Sequence, residues 1–175
     1  LHPSTFLFLR IPKPARVTRN FLPKSIAISP CSKFWGFRKI ISLIPKTAKI
    51  IFVGKEKGKH SVSQKEIHHL IYTYVLQGAC VGRLKCGDPY IFGRGAEEAI
   101  FAFSHNIPTT VIPGVSSALS APLAAGVAPT AREISSGFSV VSAHLSGDRV
   151  NLSWVPLLSL QSHTTIVLMG LSRVE

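Results

Sequence analysis

Residues 84–99 read LKCGDPYIFGRGAEEA. An apolar run ends in a cysteine and an Asp-Pro pair, three glycines follow within nine positions, and two glutamates then open a helical stretch. The stretch before it, ACVGRL (79–84), predicts a short buried strand. The stretch after it, GAEEAIFAFSHN (95–106), predicts a helix with Glu97 and Glu98 in the first turn, where the positive end of the helix dipole favours them. A glycine-rich loop that joins a strand to a helix is the repeating joint of an α/β fold, so the neighbouring segments decide whether this one is isolated or part of a sheet.

It is part of a sheet. Upstream, AKIIFVG (48–54) predicts a strand ending at Gly54. Ser63 and Glu66 have capping-box spacing. Ile67, Leu70, Ile71, Tyr74 and Val75 then follow at helical intervals, and Gly78 stands where a left-handed C-cap is wanted. Downstream, TTVIPG (109–114) predicts a third strand and VSSALSAPLAAG (115–126) a small-residue helix interrupted by Pro122. Strands alternating with helices imply right-handed crossovers and a parallel sheet. In such a sheet ligands bind beyond the carboxyl ends of the strands, where both CGDPYIFGRG and PGVSSA fall. Spacing alone leaves two readings. The loops hold a ligand, or the glycines only make tight turns and Ser116 only caps its helix.

Charge divides the chain. Across 175 residues the net charge is +12, but residues 1–49 carry ten Lys or Arg and no Asp or Glu, while residues 50–175 carry ten basic and eight acidic ones. The basic surplus therefore belongs to the N-terminal segment rather than to the α/β part. That segment also holds six of the twelve prolines. RIPKPARVTRN (10–20) and PCSKFWGFRKI (30–40) follow neither helix nor strand periodicity, so residues 1–47 are expected to be poorly ordered. An acid-free, Ser- and Arg-containing start is similar to an organelle transit segment, and equally fits a fragmentary extension.

No run of eighteen apolar residues is present, which argues against a membrane span. Cys31, Cys80 and Cys86 are odd in number and lack metal-ligand spacing, which fits a reducing compartment and a cytoplasmic location. His60, His68 and His69 make no metal set by this reading, because His68 and His69 are expected on different sides of their helix.

Several longer words occur in a linked order: VGKEKGKHSVSQKEI, GRLKCGDPYIFGRGAEEA, IPTTVIPGVSSALSAPLAAGVAPTAR, SVVSAH and TTIVLMGL. Over residues 43–175 this series resembles the uroporphyrinogen-III C-methyltransferases of the tetrapyrrole methylase family. The resemblance implies a two-domain α/β enzyme, usually a homodimer. Its activity is S-adenosylmethionine-dependent C-methylation of uroporphyrinogen III to precorrin-2, on the way to sirohaem or cobalamin. It divides the chain into the segment 1–47, the later part of a first domain at 48–128 and the start of a second at 129–175. By motif it places cofactor contacts on Cys86, Gly87, Asp88, Ile91, Ser116, Ser117 and Met169, which would face one cleft. It gives Lys55, in FVGK, a role in proton transfer. No metal is implied.

Methyl transfer from a sulfonium is an in-line displacement, so the protein must hold two atoms in contact and exclude water. A substrate with eight carboxylates calls for cations, and Arg94 and Arg132 lie within family-like words; guanidinium suits bidentate carboxylate recognition. A lysine at position 55 also suits a substrate clamp. Lys57 and Lys59 are expected to be solvated surface charges, and His144 a structural histidine.

The departures from the family are specific. Cys86 replaces the first of two glycines, and a side chain there costs about 1 kcal/mol if the position needs positive φ. SAH replaces Thr-Gly-His, and TAR replaces Thr-His-Arg. Residues 1–42 offer no counterpart of the family's opening strand, its Gly-Pro-Gly-Asp loop or its catalytic aspartate, and the chain stops just after MGL. By this reading the chain alone is expected not to turn over uroporphyrinogen III. Two alternatives stand beside the methyltransferase: an inactive remnant of it, and a basic nucleic-acid-binding protein, which the placement of the charge disfavours.

Overall fold

The computed structural model describes residues 4–9, 25–29, 41–42, 44–54, 62–145 and 149–171. The chain forms two compact units, 1–115 and 116–175.

The first unit is built on a five-stranded sheet. Its strands are β1 (Ser4–Leu9), β2 (Ser25–Ser29), β3 (Lys49–Phe52), β4 (Cys80–Cys86) and β5 (Thr109–Val111), in the order β3-β2-β4-β1-β5. β2 is parallel to both β3 and β4. β1 runs antiparallel to β4 and to β5, so β4 and β5 point the same way and only β1 opposes the rest. The parallel α/β arrangement expected for residues 48–114 is present. Within residues 1–47, STFLFL and SIAIS enter the sheet as β1 and β2, two strands not expected there. The stretches 10–20 and 30–40 lie outside the described residues.

Helix α1 (Gln64–Leu76) starts as its sequence requires. The Ser63 hydroxyl accepts from the Glu66 amide at 3.2 Å, and the Glu66 carboxylate accepts from the Ser63 amide at 2.6 Å. It ends in a Schellman motif: Gly78, at φ +78°, donates to the Val75 carbonyl at 2.9 Å, and Ala79 donates to that of Tyr74 at 3.0 Å. This satisfies carbonyls that the helix end would leave open. Ile67, Ile71 and Val75 form the buried stripe of α1 and pack with Ile26 and Ile28 of β2, Val81 of β4, and Ala102 of α2 (Gly95–Ser104). On a second cluster, Ala27 and Leu84 meet Ile41, Ile44 and Ile50.

The second unit contains α3 (Ser117–Ala124) and a parallel pair, β6 (Gly137–Ser142) with β9 (His163–Leu168). A short antiparallel pair, β7 (His144–Leu145) and β8 (Arg149–Val150), lies between these in sequence, followed by a 3-10 turn at Val155–Ser159. α3 groups with this unit, whereas a division at 128/129 would leave it in the first. The words SVVSAH and TTIVLMGL fall on neighbouring strands, with Val140 opposite Ile166 and Ser142 opposite Leu168. Among the described residues no helix is long and apolar enough to cross a membrane.

Candidate functional site

The loop between β4 and α2 leaves the carboxyl end of β4, the edge at which a parallel sheet presents ligand loops. Its fixed points are physical. Pro89 is fully buried. The Gly95 amide donates to the Pro89 carbonyl at 2.9 Å. A Cβ on Gly95 would stand 2.5 Å from that oxygen, and one on Gly93 would stand 2.7 Å from it, so both positions exclude any side chain. Asp88 occupies both carboxylate oxygens: Oδ1 accepts from the Tyr90 amide at 2.8 Å, and Oδ2 accepts from the Gly114 amide at 3.0 Å. It thereby joins the loop after β4 to the loop after β5. Beyond these anchors the tip is apolar and open: Tyr90, Ile91 and Phe92 are 52%, 42% and 49% exposed.

Backbone geometry settles the concern over Cys86. Cys86 ends β4 in extended conformation, and the positive φ belongs to its neighbour Gly87, at +69°. The cysteine side chain, which is exposed, therefore meets no left-handed penalty. Phe92 and Arg94, at φ +50° and +58°, do carry left-handed backbone. Non-glycine residues adopt that region at a cost, and such strain gathers at sites that hold ligands.

Arg94, expected to face substrate, spends its guanidinium on Glu97: Nε and a terminal nitrogen each donate to a carboxylate oxygen at 2.8 Å. Both side chains are more than half exposed, so the pair contributes at most about 1 kcal/mol. Lys55 lies outside the described residues. The strand that leads to it, β3, runs parallel to β2 and β4, so Gly54 follows the same carboxyl edge.

Ser116, Ser117, Arg132 and Met169 belong to the second unit. The Ser116 hydroxyl is the N-cap of α3, accepting from the Ala118 amide at 3.2 Å, and Ser117 is the first, exposed residue of that helix. Arg132 is exposed in the turn bridged by Ala131 and Ser135. Met169 follows β9 at φ +58° with its side chain half exposed, an unusual backbone for a residue with a Cβ. His144 is exposed, and its amide donates to the Ser142 hydroxyl at 3.1 Å.

Sequence reasoning missed the charged cluster beneath the loop. Glu98, in the first turn of α2 as expected, is 0% exposed. Its Oε1 accepts from Arg83 Nε at 3.1 Å and from the Gln64 amide nitrogen at 3.0 Å, and its Oε2 accepts from Lys85 Nζ at 3.0 Å. Arg83 also donates to the Leu84 carbonyl at 2.7 Å. Burial pushes the Glu98 carboxyl up, but Arg83, Lys85 and the hydrogen bonds outweigh it and hold the group below its ordinary range. Burial pulls Lys85 down, and the single carboxylate, shared with Arg83, does not offset this. Among the described residues two buried cations thus face one anion, and Lys85 bears the cost. The available signal was Arg83 and Lys85 at alternate positions of a buried strand, which require a buried partner.

A second missed feature is a groove of about 430 Å³ lined by Lys65, His68, His69, Tyr72, Phe101 and His105. Phe101 lies between His68, stacked at 4.5 Å, and His105 at 4.2 Å. His68 and His69 border this one groove, which corrects their expected separation; residues one apart on a helix differ by only about 100°.

The family description "Tetrapyrrole (Corrin/Porphyrin) Methylases" matches residues 32–175, and the chain belongs to that family. It is 41% identical over 138 residues to a uroporphyrinogen-III C-methyltransferase of Methanocaldococcus jannaschii, covering 79% of this chain and 57% of that protein. It is 40% identical over 131 residues to a siroheme synthase of Actinobacillus pleuropneumoniae, covering 75% of this chain and 27% of that protein. Among solved structures, it is similar to the Thermus thermophilus uroporphyrin-III C-methyl transferase complexed with S-adenyl homocysteine. That likeness has a TM-score of 0.62 at 32% identity, over 87% of this chain and 60% of that one. The chain therefore spans less than two thirds of these relatives.

Proposed function

We propose that this chain carries part of a uroporphyrinogen-III C-methyltransferase, transferring methyl groups from S-adenosylmethionine to the macrocycle to give precorrin-2. The observation that carries the reading is the loop 86–95: rigid at Pro89 and Asp88, left-handed at Gly87, and apolar at its exposed tip. Such a loop suits a ligand with both flat apolar and polar parts, because glycine lets backbone N–H and C=O groups approach closely while the tip offers contact area. S-adenosylmethionine supplies an electrophilic methyl group on a sulfonium. The chain's residues are left with positioning, the term on which an in-line displacement depends most. Gly87, Asp88, Cys86 and Ile91 set the loop's shape, and Ser116, Ser117 and Met169 are read by motif as further cofactor contacts. Arg94 and Arg132 take substrate carboxylates, and Lys55 moves a proton or clamps substrate. A homodimer in the cytoplasm accompanies this reading.

The remnant reading is favoured by one observation: β1 opposes its neighbours and so does not lead into a glycine loop at the ligand edge. Two measurements on the 175-residue chain separate the readings. Calorimetric titration with S-adenosylhomocysteine is expected to show binding. Anaerobic incubation with S-adenosylmethionine and uroporphyrinogen III, followed by absorbance of precorrin-2, then reports transfer. Transfer is expected once residues 44–171 replace their counterpart in the M. jannaschii relative. Binding without transfer in that chimera would identify a remnant, and no binding at all would overturn the reading.

A further inference from the structure

Arg83 and Glu98 alone would form a neutral buried pair, with Gln64 and the Leu84 carbonyl completing their hydrogen bonds. Among the described residues Lys85 is therefore surplus to charge balance. Its side chain is only 6% exposed, and its ammonium reaches Glu98 at 3.0 Å. Burying a second cation against a carboxylate already in use costs stability rather than adding it. Natural chains retain such costs where a site needs a fixed geometry.

Position gives the reason. Lys85 stands immediately before Cys86 and the loop, and Glu98 lies in the first turn of α2, immediately after it. Their contact closes the neck of the loop from inside, 13 residues apart in sequence. We propose that Lys85 is a positioning residue: it ties the carboxyl end of β4 to the first turn of α2 and thereby fixes loop 86–95 in its ligand-holding shape. Asp88 fastens the outer part of the loop to Gly114, and Lys85 fastens its base. The effect on ligand binding rests on the methyltransferase reading above; the effect on the loop does not.

The test is Lys85→Met in the 175-residue chain, which keeps the aliphatic stem and leaves Arg83 and Glu98 as a balanced pair. Thermal unfolding is expected at an unchanged or higher midpoint. Amide hydrogen exchange at Gly87–Gly95 is expected to accelerate by about tenfold or more, with β9 unaltered. Lys85→Arg, which can span the same neck, is expected to restore slow exchange. Affinity for S-adenosylhomocysteine is expected to fall by about fivefold or more in Lys85→Met, because a mobile loop must be ordered on binding. Unchanged loop exchange would overturn the proposal, and so would a lowered midpoint, exchange accelerated throughout, or failure of Lys85→Met to fold. If the unsubstituted chain binds no S-adenosylhomocysteine, the methyltransferase reading fails while the exchange result still decides the role of Lys85.

Discussion

Asp88 Oδ2 accepts a hydrogen bond from the Gly114 amide at 3.0 Å, across 26 residues of sequence. One carboxylate thus sets the spacing between the loops that follow β4 and β5. Asp88→Ala is expected to cost about 1–2 kcal/mol, the range for losing bonds to a charged acceptor at a half-exposed site. Urea unfolding measures it. Asp88→Asn, which keeps one acceptor oxygen, is expected to lose about half as much; an equal loss would mean that charge, not bridging, matters.

Gly95→Ala and Gly78→Ala separate two uses of glycine. At Gly95 the new methyl meets the Pro89 carbonyl at 2.5 Å, so the loop must shift, with an expected cost of about 1–3 kcal/mol. At Gly78 nothing lies within 4 Å, and the cost is the left-handed backbone alone, about 1 kcal/mol. Loop amide exchange should change in the first variant only. Cys86→Gly is expected to leave stability within a few tenths of a kcal/mol of the original or slightly lower it, since no strain is present to relieve.

The buried cluster makes stability rise with pH at both ends of the range, through a favourable group at the acid end and a costly one at the alkaline end. Glu98 is held below its ordinary value of 4.5, so its contribution is present above that pH and is lost as pH falls through the depressed folded value. Lys85 is held below its ordinary value of 10.5, so its cost is present at neutral pH and is relieved as pH rises toward 10.5. Denaturant midpoints between pH 7 and 10 should therefore rise in the natural chain relative to Lys85→Met. A flat difference would mean that Lys85 ionises as it does in water.

Ser63→Ala removes one half of the capping box at α1 and strands the Glu66 amide. A loss of about 1 kcal/mol is expected in thermal or urea unfolding. A loss below a few tenths would show that water replaces the hydroxyl without penalty.

Residues 48–126 were legible because each element announces itself locally. Ser63, Glu66 and Gly78 mark the ends of α1, and Ile67, Ile71 and Val75 mark its buried stripe. The N-terminal strands were not legible: prolines and basic residues dominate their surroundings, and β1 finds its partners only through long-range pairing. The same limit applies to the site. The glycine loop could be placed at a strand end from its pattern, but the contacts Asp88–Gly114 and Lys85–Glu98 depend on register and helix packing that spacing does not encode. The burial of Glu98 was not legible, because a glutamate in a first turn satisfies the helix dipole equally well buried or on a surface.

The reversed strand β1 has a temporal consequence. Leu9 pairs with Val81, made 72 residues later, and Leu7 pairs with Val111, made 104 residues later. At synthesis rates of about 5–20 residues per second, β1 waits on the order of 5–20 seconds for its outer partner to leave the ribosome. Meanwhile β2, β3, β4 and the earlier-made β1 can assemble, leaving the outer flank of β1 open as an adhesive edge until β5 is made. Among the described strands β5 joins the sheet through β1, so it is added only when the β1 segment folds back onto β4. That outer flank of β1 is therefore the edge through which an incomplete chain is exposed to association.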